Sequence, residues 1–160
     1  MGIDMKYFAL LVIVIFVGCA SIPPPAPTEP IQDTFIIAGN LSEVWTVILD
    51  SLTTLSIPIT IIEKESGLIS TDMVIFASGY NCLKTIDEYA VHPTIILDVW
   101  DSGRLSLNII AIQKEEGLTQ IKIVPHIETF ESNVTKSWHI CQSRGTFERN
   151  FATAIQSKFQ

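Results

Sequence analysis

The chain has 160 residues, 10 Lys+Arg against 17 Asp+Glu, a net charge of −7, and is 48% hydrophobic. Its acidic balance, with the cations scattered singly, argues against partners bound by positive charge, whether nucleic acid or anionic lipid. Its length suits one domain with a proper core better than two.

Residues 7–18 form an apolar run that ends in Phe16-Val17-Gly18-Cys19. The run is shorter than the roughly 20 residues a spanning helix needs and suits the apolar region of a signal peptide. Asp4 and Lys6 cancel before it, whereas a start at Met5 gives a tidier basic leader, so both starts stay open. The tetrapeptide resembles the lipobox of bacterial lipoproteins: Gly18 is the small residue before the cysteine, and Phe16 stands where Leu is usual. The resemblance implies removal of residues 1–18, a diacylglycerol on the Cys19 sulfur and an acyl chain on its amine. Two or more chains give stable anchoring where one is marginal. Ala20 after the cysteine leans towards the outer membrane, facing the periplasm. An ordinary secretory signal or a short membrane anchor is the alternative.

Residues 19–33 read as a lipidated tether, because Ser21-Ile22-Pro23-Pro24-Pro25-Ala26-Pro27-Thr28-Glu29-Pro30 holds most of the chain's 8 prolines. Such a segment favours polyproline II and spans roughly 30 Å at about 3.1 Å per residue. A proline-recognition ligand is the sharper alternative. With Cys19 lipidated, Cys82 and Cys141 remain, and a pair of cysteines in an exported domain reads as one disulfide. The chain-entropy account would assign it roughly 4 kcal/mol. A thiol catalyst or metal site would be the other use, but there is no Cys-x-x-Cys.

The globular part is expected over 34–160. Residues 34–38 are a β-rich run. Leu41, Val44, Trp45, Ile48, Leu49, Leu52 and Leu55 then recur at helical spacing, with Asn40 as cap and Glu43 in the capping-box position. Residues 57–63 and 68–74 read as a hairpin about Lys64-Glu65-Ser66-Gly67. Residues 76–93 lose any pattern and read as a loop pinned by Cys82. Residues 94–100 and 104–112 read as strands about the turn Asp101-Ser102-Gly103. After a turn at 113–117, residues 118–130 read as another strand. Leu105, Leu107 and Ile109 alternate with Arg104, Ser106 and Asn108, so one sheet face is buried and the other wet. Phe147, Phe151, Ile155 and Phe159 repeat at fours, a closing helix. The expected fold is α+β: one antiparallel sheet of five to six strands with two helices on one face, ordered β-α-β-β-β-β-β-α.

Trp45 in the first helix, the hairpin segment Glu65-Ser66-Gly67-Leu68-Ile69-Ser70-Thr71 and the ending Cys141-Gln142-Ser143-Arg144-Gly145-Thr146-Phe147-Glu148 carry a resemblance to small bacterial outer-membrane lipoproteins. They are similar to the BamC-like, helix-grip-like domains of accessory lipoproteins of β-barrel assembly. The resemblance covers about 34–159. It implies a non-catalytic accessory in an outer-membrane complex, with a protein partner in the envelope. The chain departs from that pattern in having one domain, a short tether and the Cys82/Cys141 pair, so no partner-binding residues carry over.

No phosphate loop, His-Glu-x-x-His or Gly-x-Ser-x-Gly is present. His126 and Glu128 share a strand face, but with His92 and His139 they form a scattered set without ligand spacing. Asp98 with Asp101, and Glu115 with Glu116, read as solvated charge at turns, and Asn133-Val134-Thr135 is a sequon without meaning in a bacterial chain. No catalytic residue, cofactor or metal is expected. Two readings follow: an interaction module, or a carrier or sensor for a small hydrophobic ligand held between helix and sheet.

Overall fold

The computed structural model describes residues 30–160. Within them β1 (Thr34–Ala38) leads through Gly39-Asn40 into α1 (Leu41–Thr54). The Asn40 backbone N–H donates to Glu43 Oε2 at 3.2 Å, the acidic half of the expected capping box. Asn40 Oδ1 also accepts the Gly117 N–H at 3.1 Å, which ties the start of α1 to a distant hairpin. Val44, Trp45, Ile48 and Leu52 are buried along one stripe of the helix. At the far end Ser56 N donates to Thr53 O and Ile57 N to Leu52 O, with Ser56 left-handed at φ +56°, a Schellman ending ahead of Pro58.

β2 (Ile59–Glu63), β3 (Leu68–Thr71) and β4 (Val74–Ser78) follow, then α2 (Cys82–Tyr89) and the short β5 (Ala90–Val91). Two long strands, β6 (Trp100–Glu115) and β7 (Leu118–Glu131), make the spine, and β8 (Ser137–Ser143) and α3 (Thr146–Gln156) complete the chain with a 3-10 turn at Ser157–Phe159. The single 8-stranded sheet runs β2-β3-β6-β7-β8-β5, with β4 also on β6 and β1 also on β7. All pairings are antiparallel. Each long strand is thus flanked along one edge by two short strands laid end to end.

Pro125 shows how this works. The Ile123 N–H donates to Asp33 O on the β1 edge, and N–H groups two residues apart point the same way. The missing N–H of Pro125 would therefore face the gap between β1, which ends its pairing at Lys122, and β8, which begins at Ile127. A proline is tolerated in this central strand because no partner is there to miss it.

Leu105, Leu107, Ile109 and Ala111 of β6 and Ile121, Ile123 and Ile127 of β7 point to one face, where α1 and α3 cover them. A second cluster of Ala77, Cys82, Ile86, Ile95 and Trp100 lies under α2 at the end of the sheet where β6 begins. Gly103 allows this packing: a Cβ there would stand 2.7 Å from the Phe76 ring and 3.1 Å from Ile86.

The α+β class and the single antiparallel sheet agree with the sequence reading; among the described residues the counts rise to eight strands and three helices. Residues 76–93 are the end of β4, α2 and β5 rather than a loop. Residues 94–100 are not a strand: Thr94 is in an isolated bridge, Ile96 and Leu97 form a turn, and β6 starts only at Trp100. No turn falls at Asp101-Ser102-Gly103, since Ser102 and Gly103 pair with Phe130 and Thr129 inside β6. The second strand of the first hairpin breaks at Asp72-Met73 into β3 and β4. β8 lay outside the expected elements.

Candidate functional site

Cys19, the lipidation candidate, lies outside the described residues, as does most of the tether. Among the described residues no helix is long and apolar enough to cross a membrane.

Cys82 and Cys141 are buried free thiols rather than the expected disulfide. Each has its own partner: Cys82 Sγ donates to Trp100 O at 2.8 Å, and Cys141 Sγ lies 3.1 Å from Thr129 Oγ1. They also belong to different packing groups, Cys82 under α2 and Cys141 in the main core. Burial pushes both thiols up, with Asp101 adding to the effect at Cys82 and Thr129 opposing it at Cys141. A raised thiol is a poor nucleophile and a poor metal ligand.

The histidines divide between the two faces. His126 Nε2 lies 3.0 Å from Glu128 Oε1 on the uncovered face, and Arg104 Nε donates to Glu128 Oε2 at 2.7 Å. Burial opposes the Glu128 charge, but the His126 and Arg104 contacts outweigh it and hold the carboxyl below its usual range. His92 and His139 sit instead against Trp100, with ring centroids 4.7 and 5.6 Å away. No group of three metal-ligating side chains forms among the described residues. Asp98 Oδ2 accepts the Trp100 Nε1–H at 2.7 Å, so it is not paired with the exposed Asp101.

Glu131 was missed as a feature of the sequence. It is fully buried at the end of β7. Its carboxylate accepts N–H groups from Val99 at 3.1 Å, Asn133 at 2.7 Å, Val134 at 2.9 Å and Thr135 at 2.5 Å, and the Thr135 hydroxyl at 2.9 Å. Burial raises its pKa, yet these backbone donors prevail and keep it ionised far below the ordinary carboxylate range. Because Thr135 gives its hydroxyl proton to Glu131, His139 Nε2, 2.7 Å from that oxygen, must be the donor of their bond. Glu131 shares the inward parity of Ile121, Ile123 and Ile127, and the Ser132-Asn133-Val134-Thr135 run after it supplies a turn; that combination was the available signal. With its lone pairs occupied, this carboxylate organises two loops and has no capacity left to take a proton from a substrate.

The uncovered face of the sheet is the remaining candidate. Among the described residues all three helices pack on the other side, so β1, β2, β4, β6, β7 and β8 show one set of side chains on the face they leave uncovered. At its centre the Arg104 guanidinium stacks 4.0 Å above the Trp138 ring, which lies 5.4 Å from Phe130. Ile75, opposite Arg104, is 58% exposed, and Ile140, opposite Glu128, is 66% exposed. Ile36, Ile61, Ile112 and Val124 extend the apolar surface along the strands. The space between α1 and the sheet is filled by buried core side chains. A groove of about 460 Å³ lies between α1 and α3, walled by Val47, Leu55 and Phe151. No protein-family model matches the chain, and no curated protein matches it in sequence.

Proposed function

We propose that this protein is a lipid-anchored lipoprotein of the bacterial envelope, held by Cys19 at the outer membrane and facing the periplasm. Its domain is a non-catalytic interaction module that offers the uncovered sheet face to a protein partner. The observation that carries the reading is that face itself. Exposed isoleucines recur across its strands between polar residues, and the Trp138, Arg104 and Phe130 cluster among them has the composition of interface centres. The lipobox-like Phe16-Val17-Gly18-Cys19 and the proline-rich tether support the anchoring. The resemblance to BamC-like accessories supports an envelope complex, barrel assembly among them, as the setting.

The test is photo-crosslinking in intact cells. A benzophenone side chain in place of Ile75 or Ile140 should give one discrete protein adduct, and the same probe in place of exposed Asp50 on α1 should not. Equal labelling from both sides would sink the interaction module. The alternative, a carrier of a small hydrophobic molecule, draws on the apolar walls of the α1–α3 groove. Reproducible small-molecule adducts in native mass spectrometry, lost on Phe151→Asp, would favour it.

A further inference from the structure

Opposite edges of the sheet are built differently. At one edge β2 carries features that discourage a further strand: its register with β3 shifts between Ile59 and Ile61, and Pro58 and Lys64 flank it. At the other edge β1, Thr34-Phe35-Ile36-Ile37-Ala38, contains no charge and no proline, and its pairing with β7 runs without a shift. Among the described residues no strand lies on its far side.

The hydrogen bonds fix which backbone groups that edge presents. Ile123 N donates to Asp33 O, so Asp33, Phe35 and Ile37 turn their backbone groups towards β7. Thr34, Ile36 and Ala38 turn theirs outward. Gln156 of α3 closes the last of these, its Oε1 accepting the Ala38 N–H at 3.1 Å. Among the described residues nothing bonds the N–H or C=O of Ile36, whose side chain is 54% exposed. Beside this edge α3 leaves a groove of about 250 Å³. Phe35, Ile37 and Ala152 give it apolar walls, Thr153, Gln156 and Ser157 give it polar ones, and no charged side chain lines it among the described residues. Phe35 and Ile37 have the parity of the covered face, so the groove opens on the helix side of the edge.

We infer that the β1 edge and this groove form a second docking site, which takes an extended peptide segment of a partner protein as a further strand. The outward groups of β1 recur at every second residue, and an extended polypeptide presents donors and acceptors at the same repeat. Alternate side chains of such a segment point to opposite faces. One set enters the groove, where a charge would find no partner and an apolar side chain finds Phe35, Ile37 and Ala152. The other set lies beside Ile36 on the uncovered face. Backbone pairing supplies the affinity and the groove the selectivity. This site lies apart from the Trp138–Arg104 stack and needs no lipid anchor.

The test is fluorescence anisotropy of the full chain, in mild detergent, with a blocked peptide that alternates Val and Thr. The same peptide is also made with N-methyl groups on all its Val or on all its Thr residues. Saturable binding of the parent is expected, with one methylated form at least about tenfold weaker and the other unchanged, because only one set of amides faces β1. Ile36→Pro removes the outward N–H without costing a bond to β7. Thr153→Lys sets a charge at the groove from the exposed flank of α3. Each should weaken binding about tenfold with Tm nearly unchanged; if Ile36→Pro does not fold, Thr153→Lys alone decides. No saturable binding, equal effects of the two methylations, or full affinity in the folded variants would overturn the inference. So would concentration-dependent dimerisation abolished by Ile36→Pro, which would make a second copy of the chain the occupant.

Discussion

Val99 donates its backbone N–H to Glu131 Oε1 at 3.1 Å, although 32 positions separate the two residues. The bond closes the loop before β6 onto the loop after β7, and Ser132 N returns a bond to Val99 O at 2.9 Å. A buried carboxylate has become the junction of two loops because backbone N–H groups satisfy it more fully than water would.

This junction makes stability sensitive to acid. The folded pKa of Glu131 is depressed, because its backbone donors outweigh burial. Its contribution is therefore complete above the unfolded value of about 4.3 and is lost as pH falls through the folded value. Glu128 is lowered by His126 and Arg104 against burial, and Asp33 mainly by Thr34, so both act in the same direction. Calorimetry of the domain should show Tm unaffected by these groups between pH 5 and 8 and falling below about pH 4. Glu131→Gln, whose amide NH₂ opposes N–H donors, should give the largest Tm loss of any carboxylate-to-amide change and flatten the acid limb.

The two thiols give a second test. With Cys82 and Cys141 buried and separately hydrogen-bonded, an alkylating reagent should modify neither in the folded domain and both after unfolding. Reductant should leave Tm unchanged. A non-reduced mass two protons lighter, with a Tm that drops on reduction, would restore the disulfide.

The elements read correctly were β1, α1, the hairpin about Gly67, the alternation along β6 and β7, and the closing helix α3, most of them marked by a clear apolar period. Those missed had little pattern to show. α2 buries only Cys82 and Ile86 in its 8 residues. β8 alternates only briefly, with one buried residue, Cys141. Gly103 looked like a turn residue because its real role, admitting Phe76 and Ile86 against the sheet, belongs to residues distant in sequence. For the same reason the uncovered face was legible only as wet. That Trp138, Arg104 and Ile75 share it depends on three pairings that join four strands, β4, β6, β7 and β8.

Strain at the ends of elements is testable by relieving it. Ser56 and Leu97 hold φ +56° and +64°, where glycine carries no Cβ penalty. Ser56→Gly and Leu97→Gly should each stabilise the domain by roughly 1 kcal/mol, seen as a rise of a few degrees in Tm.

Glycines of like conformation should differ in what they tolerate. Gly67 and Gly117 have φ +72° and +75°, but a Cβ on Gly67 would stand 2.1 Å from Ala111 O, while nothing lies within 4 Å of one on Gly117. Gly117→Ala should cost about 1 kcal/mol, the left-handed penalty alone. Gly67→Ala should cost about 3 kcal/mol or more, because it adds a clash with backbone that also carries the bond from Ala111 N to Gly67 O. Denaturant midpoints of the two variants, compared at constant m, give the difference.

The uncovered face should matter little to stability and much to association. Arg104 pairs with Glu128 and stacks on Trp138 at a partly exposed site, where such contacts are worth about 1 kcal/mol or less. Trp138→Ala and Arg104→Ala should therefore each lower stability by no more than about 1–2 kcal/mol. Arg104→Lys keeps the charge but lacks the planar fork that bonds the carboxylate and lies flat on the indole. If the face docks a partner through this stack, the crosslink from Ile140 should weaken as much in Arg104→Lys as in Arg104→Ala. A crosslink retained in the lysine variant would mean that charge alone, and not the stacked arginine, recognises the partner.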